Sequence, residues 1–170
     1  RAICLLALLA ILLPAASSSL AVASSPRLTE DPLRFSRLGL EDGLSQNAAL
    51  AILQDRQGFI WIGTQDGLNR YDGYNFTVYK HDPNNPATLS HSSILSLFKD
   101  QQGFLWVGTW GGGLNRLDRR SGYIQRYRHD DNIPNSLSHD TVVDILEDRA
   151  GRLWIATMGG GLELLDRSTG

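Results

Sequence analysis

A single cysteine, Cys4, stands in 170 residues, which excludes an intrachain disulfide and any thiolate zinc cage. Cations are not in excess: 16 Lys and Arg meet 18 Asp and Glu, for a formal net charge of −2. No basic run with interleaved aromatics is there to follow a phosphate backbone, so no nucleic-acid partner is expected. Proline is scarce, at 6 residues, while glycine is plentiful, at 17. Glycine without proline marks many tight turns, hence short strands, and not a flexible linker. No apolar run reaches the roughly twenty residues of a membrane-spanning helix. The rest, 42% apolar and 20% charged, is the composition of an ordinary folded protein.

The longest apolar run, Ala2 to Leu13, follows Arg1 and is closed by Pro14, a Ser-rich stretch and the small residues Ala21-Val22-Ala23. A cation, a short greasy core and an A-x-A site are the parts of a secretory signal peptide, with cleavage expected after Ala23. The cut would remove Cys4. An Arg at position 1 reads as a leader that lacks part of its charged end.

Three copies of one unit fill the rest of the chain: LSQNAALAILQDRQGFIWIGTQDGLNRYD from Leu44, LSHSSILSLFKDQQGFLWVGTWGGGLNRLD from Leu89 and LSHDTVVDILEDRAGRLWIATMGGGLELLD from Leu137. They start 45 and then 48 residues apart. Trp61, Trp106 and Trp154 fall in register, as do Asp55, Asp100 and Asp148. A period of this length belongs to a repeat architecture. Punctuation divides each unit into four short strands, A to D. Strand A ends in a D-x-x-G turn, strand B is FIWIGT, FLWVGT or RLWIAT, and strand C follows a Gly-rich hairpin. Strand B is apolar on both faces, so each sheet is expected to be covered on both sides. Gly63, Gly108 and Ala156 are small where a neighbouring sheet would press close.

The expected fold is therefore all-β: a partial β-propeller of about three four-stranded antiparallel blades. Residues 1–23 form the signal peptide, 24–43 an N-terminal segment, and 44–88, 89–136 and 137–170 the blades, the last truncated. Arg34 to Leu38 resembles a strand D and is expected to complete the last blade of a full ring. Three blades cannot close a ring that needs four to eight, so an open wedge with exposed edges is expected.

The pattern L-S-x-x, D-x-x-G-x-L-W-I-G-T, G-G-G-L-N-R-hydrophobic-D from Leu44 to Gly170 resembles the two-component regulator propeller repeat. Arg152, Ala156 and Glu163-Leu164 depart from it, so the third unit has drifted most. The resemblance implies the periplasmic sensing region of a membrane receptor whose output is a histidine kinase, often hybrid, or a diguanylate cyclase. Such a fragment performs no chemistry. It would reach the membrane only through C-terminal parts that are not in the sequence, and it would form a homodimer in the full receptor.

Antiparallel order puts the D-to-A and B-to-C connections on one face of the disc. After a repeated Thr, that face carries three unlike residues at one equivalent position, Gln65, Trp110 and Met158. A position that diversifies within a repeating frame is a candidate contact for a small molecule or oligosaccharide, and Trp110 has the flat face that stacks on a sugar ring. Asp66 and the loop residues Gln46, Asn47, His91, His139 and Asp140 complete the candidate site. His81 and His129 recur, as do His91 and His139, which suits a structural place and not a unique metal cage. No metal, cofactor or catalytic residue is expected. The rival reading is a secreted propeller enzyme, such as a polysaccharide lyase or a quinone-dependent dehydrogenase. It requires a non-repeated acid, base or cofactor constellation, and the three units contain none.

Overall fold

The computed structural model describes residues 34–170; the expected signal peptide, with Cys4, lies outside them. The repeats fold into three antiparallel sheets in chain order. The first contains β1 (Ala49–Gln54), β2 (Ile60–Thr64), β3 (Gly67–Tyr71) and β4 (Phe76–Tyr79). The second contains β5 (Ile94–Lys99), β6 (Leu105–Thr109), β7 (Leu114–Leu117) and β8 (Ile124–Tyr127). In the third, β9 (Val142–Glu147), β10 (Leu153–Thr157) and β11 (Gly161–Leu165) pair in the order β11-β10-β9. Each sheet is an up-and-down meander, because two-residue and Gly-bearing hairpins can join only neighbouring antiparallel strands. The Asp55, Asp100 and Asp148 turns close with a backbone bond from the Gly three residues on. Gly58, Gly103 and Gly151 all have positive φ there, which an L side chain resists.

The sheets stack face to face through their A and B strands. Trp61, Leu68, Leu89, Ile94, Leu105, Val107, Leu117 and Ile124 form one buried cluster between the first and second sheets. Trp106, Leu114, Val142, Ile145, Leu153 and Ile155 form the equivalent cluster between the second and third. Close approach explains the small residues of strand B. A Cβ on Gly63 would lie 2.6 Å from Ile94 Cγ2, and one on Gly108 would lie 2.8 Å from both Val142 Cγ1 and the Val142 carbonyl. Ile94 of β5 and Val142 of β9 thus sit in the holes left by glycines of the preceding sheets.

Arg34–Gly39 carries no regular structure, and Phe35 is 93% exposed. A single 3-10 turn, Leu40–Asp42, leads into the first repeat. Among the described residues, no helix is long and apolar enough to cross a membrane.

Candidate functional site

Framework comes first, because it fixes what is left over. In every repeat the strand-B Trp donates its indole N–H to the Asp that ends strand A: Trp61 to Asp55 at 2.9 Å, Trp106 to Asp100 at 2.8 Å, Trp154 to Asp148 at 3.0 Å. The other carboxylate oxygen accepts backbone amides of the turn. Arginines then reach backwards across the joints. Arg119 of the second sheet pairs with Asp55 of the first, and Arg167 of the third meets Asp100 at 3.4 Å and Glu147 at 2.9 Å. Burial pushes the Asp55 carboxyl up. Hydrogen bonds from Trp61 and the Gln57 amide, with the Arg119 guanidinium, outweigh burial and hold it below 3.8. Asp148 is likewise held below the usual carboxylate range, by the Trp154 indole and by its bonds to Arg152.

The loop serine of each L-S pair is clasped by strand C. Asn69 Oδ1 accepts the Ser45 amide at 2.9 Å and its Nδ2 donates to Ser45 Oγ at 2.9 Å. Asn115 does the same for Ser90, at 2.9 and 2.8 Å. In the third sheet Glu163 replaces the amide: it accepts the Ser138 amide at 3.0 Å and bonds Thr157 Oγ1 at 3.0 Å. The clasp also dictates the middle glycine of each G-G-G run. A Cβ on Gly160 would fall 1.9 Å from Ser138 Oγ, and one on Gly112 would fall 2.6 Å from His91 Cβ.

The candidate residues divide against this frame. Gln46, His91 and His139 occupy one position, and each side chain accepts the backbone amide two residues on; for the histidines, Nδ1 accepts from Ser93 and Thr141, both at 3.0 Å. Their Nε2 atoms are left as the second polar group of the ring. Asn47, Ser92 and Asp140 occupy the next position and accept the amides of Leu40, His81 and His129 at 3.3, 3.0 and 2.7 Å. Asn47 and Asp140 are thus engaged with their own loops. Asp66 pairs with Lys80 at 2.6 Å, both half exposed. His81 and His129 each bond the carbonyl of the Leu that precedes the clasped serine, at 2.7 Å, which explains their recurrence. Among the described residues no group of three or more His, Cys, Asp or Glu could hold a metal ion.

Gln65, Trp110 and Met158 remain. Gln65 is exposed, Trp110 is 52% exposed and Met158 50% exposed. Two of the backbones are held in place: the Trp110 amide donates to the Ser93 carbonyl at 3.0 Å and the Met158 amide to the Thr141 carbonyl at 2.9 Å. The Gly113 amide crosses to the Asp140 carbonyl of the next sheet at 2.7 Å, so B-to-C hairpins and D-to-A loops share one rim, as strand alternation requires. Three unlike side chains therefore project from equivalent positions, and at Trp110 and Met158 the backbone is tied to the preceding loop. The anchoring was not foreseen from the sequence. Its signals were the intervals Ser45–Asn69, Ser90–Asn115 and Ser138–Glu163 and the six-residue Asp-to-Trp spacing.

Comparison with known proteins agrees with this construction. The model of the two component regulator propeller matches three times, over residues 43–66, 88–111 and 136–159. The extracellular domain assigned to the hybrid two-component system BT3049 of B. thetaiotaomicron superposes with a TM-score of 0.75 at 33% identity, over 79% of this chain and 19% of that one. The extracellular domain of BT4673 from B. thetaiotaomicron superposes at 0.60 and 29% identity, over 72% and 17%. Histidine kinase P4 of Formosa agariphila is 45% identical over 49 residues, which is 29% of this chain and 4% of that protein. Virginiamycin B lyase from Staphylococcus aureus, at 19% identity and a TM-score of 0.51, shares the fold alone. The chain spans about a fifth or less of each sensor relative. Three matched repeats, three stacked sheets and extracellular domains of the same build lead to one assignment: residues 43–159 carry three two component regulator propeller repeats.

Proposed function

We propose that the chain is part of an extracytoplasmic, ligand-sensing propeller of a membrane-bound two-component receptor, and that it performs no chemistry itself. The observation that carries this reading is the 33% identity with a two-component extracellular domain over 79% of the chain. The rim supports it: Asn47, Ser92, Asp140 and one ring nitrogen each of His91 and His139 hold loops, and what varies between repeats is the set of exposed side chains Gln65, Trp110 and Met158. Trp110 offers the aromatic face for a sugar ring or another flat apolar ligand. Binding at such a rim would act by favouring one of two receptor arrangements, with the output domain responding to that shift.

Two measurements test the proposal. Residues 1–30 fused to a reporter phosphatase that is active only outside the cytoplasm should give active reporter, and an inactive reporter in intact cells would remove the exported sensor. A thermal-shift screen of neutral and acidic oligosaccharides should find a stabilising ligand whose effect disappears in Trp110→Ala. A stabilising ligand that Trp110→Ala binds unchanged would move the site away from this rim.

A further inference from the structure

The position shared by Gln46, His91 and His139 changes its residue type between repeats but not its hydrogen-bond polarity. In each repeat the side chain accepts the backbone amide two residues on: Gln46 Oε1 from Ala48, His91 Nδ1 from Ser93 and His139 Nδ1 from Thr141, the last two at 3.0 Å. Accepting with one end decides the other. A neutral imidazole has one N–H and one lone pair, so an Nδ1 that accepts leaves the proton on Nε2. A charged ring, with N–H on both nitrogens, could not take the amide at all. A glutamine that accepts through Oε1 keeps its NH2 as the free end. All three repeats therefore turn a donor away from the loop. His81 is the reverse case: its Nδ1 meets the Leu89 carbonyl at 2.7 Å, which requires the proton on Nδ1.

The second sheet shows what that donor stands beside. It is flanked by a sheet on each side, yet Trp110 stays 52% exposed. His91 is half-buried, and its Nε2 finds no partner among the described residues while remaining open to solvent. Ser93 joins the two side chains: its amide donates to His91, and its carbonyl accepts the Trp110 amide at 3.0 Å. The histidine also lies against the same hairpin, since a Cβ on Gly112 would come within 2.6 Å of His91 Cβ. One hairpin thus carries an aromatic face with an N–H donor beside it. His139, Thr141 and Met158 repeat the arrangement with a thioether in place of the indole. Charge on the rim is balanced, because Asp66 and Asp140 face Lys80 and Arg128 at 2.6 and 3.9 Å.

We infer that His91 is a specificity-determining residue of the rim: held as its Nε2–H tautomer, it donates to an oxygen of the ring that stacks on Trp110, while Gln46 and His139 offer the same polarity on the neighbouring spokes. The inference rests on the ligand-sensing reading above and adds to it the direction of the bond, so that the ligand atom is an acceptor on an uncharged ring. A ligand without that acceptor would leave the N–H desolvated and unpaired, which is how one donor discriminates.

The tautomer is tested in the full chain without ligand, from long-range proton–nitrogen NMR correlations of the histidine rings at neutral pH. His91 and His139 should show the Nε2–H pattern, and His81 should not share it. An Nδ1–H pattern or rapid averaging at His91 would overturn the inference. Binding is tested by titrating neutral gluco-, xylo-, manno- and galacto-oligosaccharides into the full chain and its Trp110→Ala, His91→Gln and His91→Glu variants. Both replacements at position 91 can accept the Ser93 amide as Gln46 accepts that of Ala48, so the loop bond is kept while the free end is NH2 in one and a carboxylate oxygen in the other. His91→Gln should bind within a few-fold of the parent, and His91→Glu should lose about tenfold in affinity. An oligosaccharide that needs Trp110 but binds both position-91 variants equally would overturn this inference and leave the rim reading standing. A panel in which nothing binds would overturn both. If His91→Glu fails to fold, the tautomer and a loss of binding in His91→Gln, which the inference forbids, decide the matter.

Discussion

The second and third sheets are written in the same repeat but live in different surroundings. All five residues of β6 are buried, whereas β10 alternates between buried and half-buried. Leu114 is 1% exposed and its counterpart Leu162 67%. A strand's own residues set which side chains are offered, and neighbouring sheets decide which of them leave water. Stability in this architecture is therefore a sum of joints, each able to fail separately.

The largest break in the comparison should come from tryptophan. Trp106→Ala empties a site sealed on both faces and should cost about 3–5 kcal/mol in urea unfolding. Trp154→Ala, on the open face, should cost clearly less; equal losses would mean that the joints do not set burial. Next is the latch between the sheets. Arg167→Ala leaves Asp100 and Glu147 without their cation, and with Arg167 itself 19% exposed the expected loss is about 2 kcal/mol. Arg152→Ala breaks a more exposed pair with Asp148 and the stacking of its guanidinium 5.3 Å above Trp154, and should cost less, under about 1 kcal/mol. Gly108→Ala should cost about 1–2 kcal/mol, because its methyl meets Val142 and Ser96 and the core resists overpacking. The matching position, Ala156, already carries that methyl, and Ala156→Gly should change little.

The smallest effect sharpens the comparison by pH. The Leu137 carbonyl and Asp131 hold His129 above 6.5. A raised folded value means that the proton's contribution is complete below pH 6.5 and is lost as pH climbs through the folded value. Its NMR titration midpoint should lie above 6.5, and exchange in the loop 130–137, corrected for intrinsic rate, should quicken above that midpoint. For Asp55 the sign reverses: its contribution is complete above pH 3.8 and drains as pH falls through the lowered value. A midpoint for His129 below 6.5 would mean that the Leu137 carbonyl and Asp131 do not favour the charged ring in solution.

Most of the fold was legible because its determinants are local and repeated three times. Gly58, Gly103 and Gly151 announce their turns, and the apolar B strands announce sheets covered on both sides. The need for Gly63 and Gly108 to be small was readable too, since it is a steric demand at one position. The joints were harder. Nothing in the chain near Arg119 points to Asp55, 64 residues away, and a pairing between sheets has no periodicity to betray it. The rim was half legible. Diversity at Gln65, Trp110 and Met158 could be read by laying the repeats side by side, but the bonds that occupy Asn47, His91, His139 and Asp140 depend on loop conformation. A histidine that caps its own turn and one that faces a ligand are the same letter.

Gly112 and Gly160 sit where any methyl would strike a neighbouring loop. Thr109 and Thr157 tie the start of each hairpin to its end. Between these immovable points Trp110 and Met158 are the seats that a mutation can change without disturbing the wheel. Single-letter edits there would change the chemistry of the rim, one spoke at a time, while the axle keeps turning true.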